Sequence, residues 1–145
     1  PQDLALQLWS DPKTIRNWLR TLQSSLPTHS GRTDESNDLQ QFSTPLEFGY
    51  LAYLAACPRP GEVLLEPSAG TGMLAALPSL VVGSMILNEL SDRRADILRH
   101  VYGQQVFTFN AEQIHNYLPD ELVPTVTLVN PPFSSSPNIA SRRAS

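Results

Sequence analysis

The chain has little of several things, and each shortage removes a class of explanation. Cys57 is the single cysteine among 145 residues. That excludes an intrachain disulfide and a cysteine-built zinc site, and it sets the expectation of a cytoplasmic protein. The three histidines, His29, His100 and His115, have no metal-binding spacing, so no metal is expected. No apolar run approaches the roughly 18 residues of a membrane span. The first residues also lack a basic stretch followed by an apolar core. Neither a membrane partner nor a secretory leader is expected. Positive charge is scarce too: 10 Lys and Arg stand against 14 Asp and Glu, for a net charge of −4. A strong phosphate clamp needs clustered cations, which this stretch alone does not supply. A basic surface elsewhere in a larger protein stays open.

What is present is enough for one core: 41% of the residues are apolar, and the length fits one domain at most. Residues 1–41 read as an N-terminal helix and a polar linker. Asp11-Pro12 is a start signal, a cap followed by proline, and Ile15, Trp18, Leu19 and Leu22 then follow helical spacing. This N-terminal helix, which carries Trp9 and Trp18, is expected to be a packing element. From Ser24 to Gln41 the composition turns to Ser, Thr, Asn, Asp and Gly, which predicts a loop. His29, Arg32, Asp34 and Glu35 fall in it and read as a solvated polar stretch, with a functional role as the alternative reading. A second helix fits Pro45 to Cys57, capped by Ser43 or Thr44, with Leu46, Tyr50, Leu51 and Leu54 inward.

Residues 42–137 carry the predicted core, and 138–145 a polar tail. Apolar runs at 63–65, 85–87, 105–108 and 125–129 read as strands. Helices are expected between them, near 73–79, 91–102 and 111–117. Alternation of strand and helix is the mark of a parallel α/β sheet with crossover helices. The last strand would then be an exposed edge, which natural proteins normally cover. The expectation is that further strands of a longer parent chain, or a partner, complete the sheet; self-association through that edge is the alternative.

Two motifs follow apolar runs directly. Glu66-Pro67-Ser68-Ala69-Gly70-Thr71-Gly72 stands after the first strand. Its glycines allow close backbone approach. The loop lacks the Gly-Lys-Ser/Thr ending of a phosphate loop. Glu66 would repel a pyrophosphate but suits a ligand with a cationic amino group, such as the methionine part of S-adenosylmethionine. The plainer reading is a tight turn. Glu89, after the second strand, stands where doubly wound folds place an acid for ribose hydroxyls, or else is a surface carboxylate. Asn110, followed by Ala111, is placed to reach an adenine edge or to cap the next helix, and the two roles are compatible.

Asn130-Pro131-Pro132-Phe133 follows the fourth strand. The amide oxygen of Asn130 and the carbonyl of Pro131 are suited to accept hydrogen bonds from a planar NH2 group. Pro131 biases Asn130 toward an extended backbone, and both prolines fix their own φ. Phe133 would stack on the acceptor. The competing reading is a strand-terminating turn.

These residues resemble class I S-adenosylmethionine-dependent methyltransferases of the N6-adenine type. Gln41-Phe42-Ser43-Thr44-Pro45 resembles their F-x-T-P motif, which lies against the methionine part of the cofactor. The resemblance implies a Rossmann-like fold, here a truncated sheet of about four strands in the order 3-2-1-4 with an N-terminal helical extension. It implies cofactor roles for Phe42, Thr44, Glu66, Pro67, Ser68, Ala69, Gly70, Gly72, Glu89, Asn110 and Ala111. Asn130, Pro131, Pro132 and Phe133 become the catalytic motif. Asn110 departs from the pattern, where many members carry Asp. From Leu22 to Pro137 the chain further resembles the methyltransferase-like domain of bacterial strawberry-notch-like proteins. That implies a helicase region in the same parent chain and DNA as partner. The motif itself specifies an NH2 on a planar group. RNA bases and protein glutamine therefore remain acceptors to be weighed, as does a non-catalytic, cofactor-binding domain.

Overall fold

The computed structural model describes residues 7–26, 43–103 and 105–131. Residues 7–10 are helical, and the chain then restarts at Asp11, whose carboxylate accepts from the Thr14 N–H at 3.2 Å. Pro12, with no N–H to leave unpaired, opens α1 (Pro12–Ser25) as its residue types predict. Most of the expected linker lies outside the described residues.

Helix α2 (Leu46–Ala56) starts without the expected cap: Pro45 takes the N-cap position and no side chain bonds there. Ser43 and Thr44 use their hydroxyls elsewhere. The Leu46 N–H donates instead to Gln23 Oε1 of α1 at 3.1 Å. Tyr50 and Tyr53 are buried and Leu46 and Leu54 half-buried, whereas Leu51 is exposed. The contact face follows positions 46, 50, 53 and 54, and Leu51 is turned about 100° from Tyr50, off that stripe. Only a narrow face of α1 is covered as well. The helix packs through Leu19, which is buried, and Trp18 on its outer face is 61% exposed. Trp9, half exposed, meets the Tyr53 ring at 6.1 Å. Arg20 Nη2 and Arg16 Nε reach Glu47 Oε2 at 2.8 and 3.4 Å, and the Tyr50 hydroxyl donates to the Leu8 carbonyl.

The sheet has four parallel strands in the order β3-β2-β1-β4: β1 (Val63–Glu66), β2 (Ser84–Asn88), β3 (Val106–Phe107) and β4 (Val126–Thr127). This is the expected Rossmann-like α/β arrangement. Alternation along each strand sorts side chains to two faces. Leu64, Met85, Leu87 and Val106 join Leu74, Ala75, Ala95 and Leu98 in one core. Leu65, Ile86 and Phe107 join Ile114, Leu118 and Leu122 in the other. The short β4 is extended by hydrogen bonds on both sides: Thr125 N–H donates to Val63 O, and Leu128 N–H to Leu65 O, each at 2.9 Å. Its far side is an edge among the described residues.

Helix α3 (Asp92–Tyr102) follows β2, with Asp92 in its first turn, Arg99 and His100 in its last, and Gly103 closing it at φ +60°. Those charges complement the helix dipole. One expected helix is replaced. Residues 73–77 form turns that lead into a 3-10 turn, Pro78–Leu80. Pro78 lacks an N–H, and its ring would meet the carbonyl of residue 74 in an α-helix. The helix expected near 111–117 is present as a 3-10 helix, Ala111–Asn116. No described helix is long and apolar enough to cross a membrane.

Gly72 shows how tightly the glycine loop is built in. Its φ is +80°, and a Cβ there would lie 2.7 Å from Tyr102 Cε2 and 2.8 Å from Leu98 Cδ2. Gly61 has a similar φ of +85° with open space around it. Gly72→Ala is expected to destabilise the fold by about 2–4 kcal/mol, strain plus overpacking, and Gly61→Ala by about 1 kcal/mol, strain alone. Urea unfolding of both variants checks the difference.

Candidate functional site

Parallel strands present all their C-terminal ends along one edge, where open α/β sheets bind ligands. Here that edge gathers Glu66 from β1, Asn88 and Glu89 from β2, Phe109 and Asn110 beyond β3, and Asn130 beyond β4. The glycine loop crosses it. Gly72 N–H donates to Ala69 O at 2.7 Å and closes the turn.

Asn88, 1% exposed, holds these ends together. Its Nδ2 donates to Pro67 O at 2.8 Å and Phe109 O at 2.9 Å, and its Oδ1 accepts from Phe109 N–H at 2.8 Å. Its own carbonyl accepts from Ala69 N–H at 2.8 Å. The sequence reading passed over this residue. The available signal was a polar amide closing the apolar run Met85-Ile86-Leu87.

Glu89 is buried at the end of β2, and not on the surface. Its Oε2 accepts from Gly70 N–H at 2.7 Å and its Oε1 from Ser91 N–H at 2.9 Å. It thereby clamps the glycine loop to the start of α3. An ionised carboxylate accepts about four hydrogen bonds, so two positions remain for ligand hydroxyls. Tyr102, also missed from sequence, donates its hydroxyl to Gly72 O at 2.6 Å. It continues the buried stripe of Ala95 and Leu98 on α3. Burial first, then the nearby Glu66 carboxylate, push the phenol up to about 12. The close approach to Gly72 comes from Tyr102 and Leu98, so this glycine serves packing within the fold.

Glu66 is 2% exposed, and its Oε2 is the one buried side-chain polar atom without a hydrogen-bond partner among the described residues. Burial pushes the carboxyl up to about 8; the Ala75 backbone hydrogen bond opposes this, and the Glu89 charge adds to it. An orphaned buried carboxyl beside a second acid fits a cationic amino group, which would satisfy Oε2 and favour the ionised form.

Asn130 stands within reach of two other segments. Its Nδ2 donates to Thr44 Oγ1 at 3.0 Å, and its carbonyl accepts a long bond, 3.4 Å, from the Ser68 hydroxyl. The Thr71 hydroxyl lies 3.3 Å from that of Ser43. The segment before α2, the glycine loop and the residues after β4 therefore meet. Asn130 and Pro131 are exposed. Pro132, Phe133 and Phe42 lie outside the described residues. Asn110 accepts from Glu112 N–H at 3.0 Å and caps the 3-10 helix, as one of its two sequence readings holds; Ala111 is the first residue of that helix. No cluster of metal-ligating side chains occurs among the described residues.

No protein-family model matches the chain. No curated protein matches it either. Solved structures do: one is the crystal structure of a "putative RNA methyltransferase" from Pyrococcus horikoshii, 25% identical, with a TM-score of 0.57. The match covers 84% of this chain and 62% of that one, so the chain spans less than two thirds of its neighbour's length. The likeness agrees with the Rossmann-like α/β fold.

Two predictions follow from this geometry. Asn88→Ala leaves three backbone groups unpaired, Pro67 O beyond β1 and Phe109 N–H and O beyond β3, and is expected to cost about 2–4 kcal/mol. Asn110→Ala removes only an exposed cap and is expected to cost at most about 1 kcal/mol; chemical denaturation measures both. Glu66 ionises near its ordinary value of 4.5 in the unfolded chain and near about 8 in the fold. Between those values the unfolded chain binds fewer protons, so stability falls as pH rises, with a slope up to about 1.4 kcal/mol per pH unit. Glu66→Gln is expected to remove that fall. Parallel stability profiles for wild type and variant from pH 5 to 9 would contradict it.

Proposed function

We propose that this chain is the cofactor-binding core of an S-adenosylmethionine-dependent methyltransferase that modifies an amino nitrogen, with N6 of adenine in DNA as the leading acceptor. One observation carries the reading: Asn130 lies beside the glycine loop, through its contact with Ser68, although the two are far apart in sequence. Methyl transfer needs donor and acceptor sites in contact, and alignment supplies much of the rate. The neighbour described as an RNA methyltransferase supports the reaction class.

The residues at the loop fit the cofactor. Glu66, with an unpaired buried Oε2, would take the cationic amino group. Glu89 would use its remaining lone pairs for ribose hydroxyls, and residues Asn110-Ala111 border the place for a purine edge. When bound, the cofactor supplies a methyl group already activated on a sulfonium. The chain's own part is to hold the acceptor. Asn130 Oδ1 and the Pro131 carbonyl accept hydrogen bonds from the NH2 and draw its nitrogen toward tetrahedral geometry. The Pro131 carbonyl sits on a proline-stiffened backbone, and the backbone that carries the Asn130 side chain is restricted by the following proline, so little backbone reorganisation is needed.

A second reading, transfer to an RNA base, is favoured by the description of the neighbouring structure. A transfer assay with methyl-labelled cofactor on DNA, RNA and glutamine-containing protein separates these, using the protein that carries this chain. Label on adenine N6 of DNA, lost in Asn130→Ala by about 100-fold or more, is the expected result. Label on RNA alone moves the assignment to the second reading. Transfer to none of them, with cofactor bound, makes the chain a non-catalytic binding domain.

A further inference from the structure

Thr44 belongs to the segment that resembles a cofactor contact, yet its hydroxyl lies on Asn130. The distance to Nδ2 is 3.0 Å, across 86 residues of sequence. Thr44 is half-buried, just ahead of α2, and Pro45 fixes the backbone after it. The hydroxyl is not spent on capping α2. Its neighbour Ser43 meets Thr71 of the glycine loop at 3.3 Å. The segment thus touches both motifs at once and is anchored by α2, which packs on α1 and on the chain beyond the glycine loop; a Cβ on Gly49 would lie 2.9 Å from Met73 O.

The orientation of Asn130 decides its chemistry. An asparagine amide has an acceptor end and a donor end. Toward a substrate NH2 only the oxygen attracts; the donor end repels. Asn130 is exposed, and packing alone does not select its rotamer or its flip. With Nδ2 on Thr44, Oδ1 is turned away from the threonine with its lone pairs available.

We propose that Thr44 is a positioning residue: it holds the donor end of the Asn130 amide so that the acceptor oxygen faces the amino group to be methylated. This inference rests on the proposed reading of Asn130 as the residue that grips the acceptor. It gives Thr44 a different task from the cofactor contact that the motif resemblance implies.

The test uses the whole chain, isotope-labelled, with Thr44→Val, which keeps shape and removes the hydroxyl, and Thr44→Ser, which keeps it. The readouts are the side-chain amide resonance of Asn130 with its solvent-exchange rate, and the dissociation constant for S-adenosylmethionine by calorimetry. Thr44→Val is expected to shift that resonance and speed its exchange roughly two- to tenfold, the worth of one hydrogen bond. Thr44→Ser is expected to restore wild-type behaviour, with cofactor affinity within about twofold in both variants. An unchanged Asn130 amide in Thr44→Val overturns the proposal, as does a tenfold or larger loss of cofactor affinity with the amide unmoved. Should Thr44→Val fail to fold, Thr44→Ala with the same readouts decides. If the wild-type chain binds no cofactor while Thr44→Val still frees the amide, the proposed function fails and the Thr44–Asn130 link stands.

Discussion

The buried amide of Asn88 is the constraint on which the rest of the site depends. A parallel sheet leaves its strand ends without ladder partners, and here those ends are tied to one another instead of running into solvent. One side chain, fully inside, pairs with Pro67 and Phe109 and so spans the exits of β1, β2 and β3. Every donor and acceptor it offers in those bonds meets backbone, so the geometry is fixed in both directions. The loop starting at Pro67 leaves the sheet at a set angle because of it. Glu89 then takes Gly70 N–H, and Tyr102 takes Gly72 O. The glycine loop is thus held from β2 and α3 as well as by its own turn.

That rigidity gives Glu66 its character. A carboxyl at the end of a strand normally reaches water. This one is covered by the loop that follows it, and one oxygen has no partner. The fold bears a cost at neutral pH that a positively charged group at the same place would relieve. Polar satisfaction fails at a single buried side-chain atom among the described residues, and it fails at the proposed ligand site. Such local inconsistency is where function is expected to reside.

Much of this was legible from residue types. The strand positions, the parallel α/β class and the strand order follow from four apolar runs and from a motif resemblance, and the sheet has that order. Asp11-Pro12 marked the start of α1 because a cap and a proline act locally. What failed depends on neighbours. Pro78 stands within the helix expected after the glycine loop, and turns and a 3-10 turn form there instead. Trp18 falls in the apolar spacing of α1, yet α2 covers only a narrow face of that helix and leaves Trp18 exposed. Thr44 fits an N-cap by type, and its hydroxyl goes to a residue far along the chain, which no local pattern reveals. Asn88 and Tyr102 escaped notice for the same reason: their partners are backbone atoms brought near only by the fold.

The central claim is that the glycine loop and Asn130 belong to one site that takes S-adenosylmethionine. Backbone amide shifts of the labelled chain, followed during titration with that cofactor, test it most directly. A saturable response concentrated at Gly70, Gly72, Glu89 and Ser91, extending to Asn130, is expected. A saturable response confined to another surface, or none at millimolar cofactor, would contradict it.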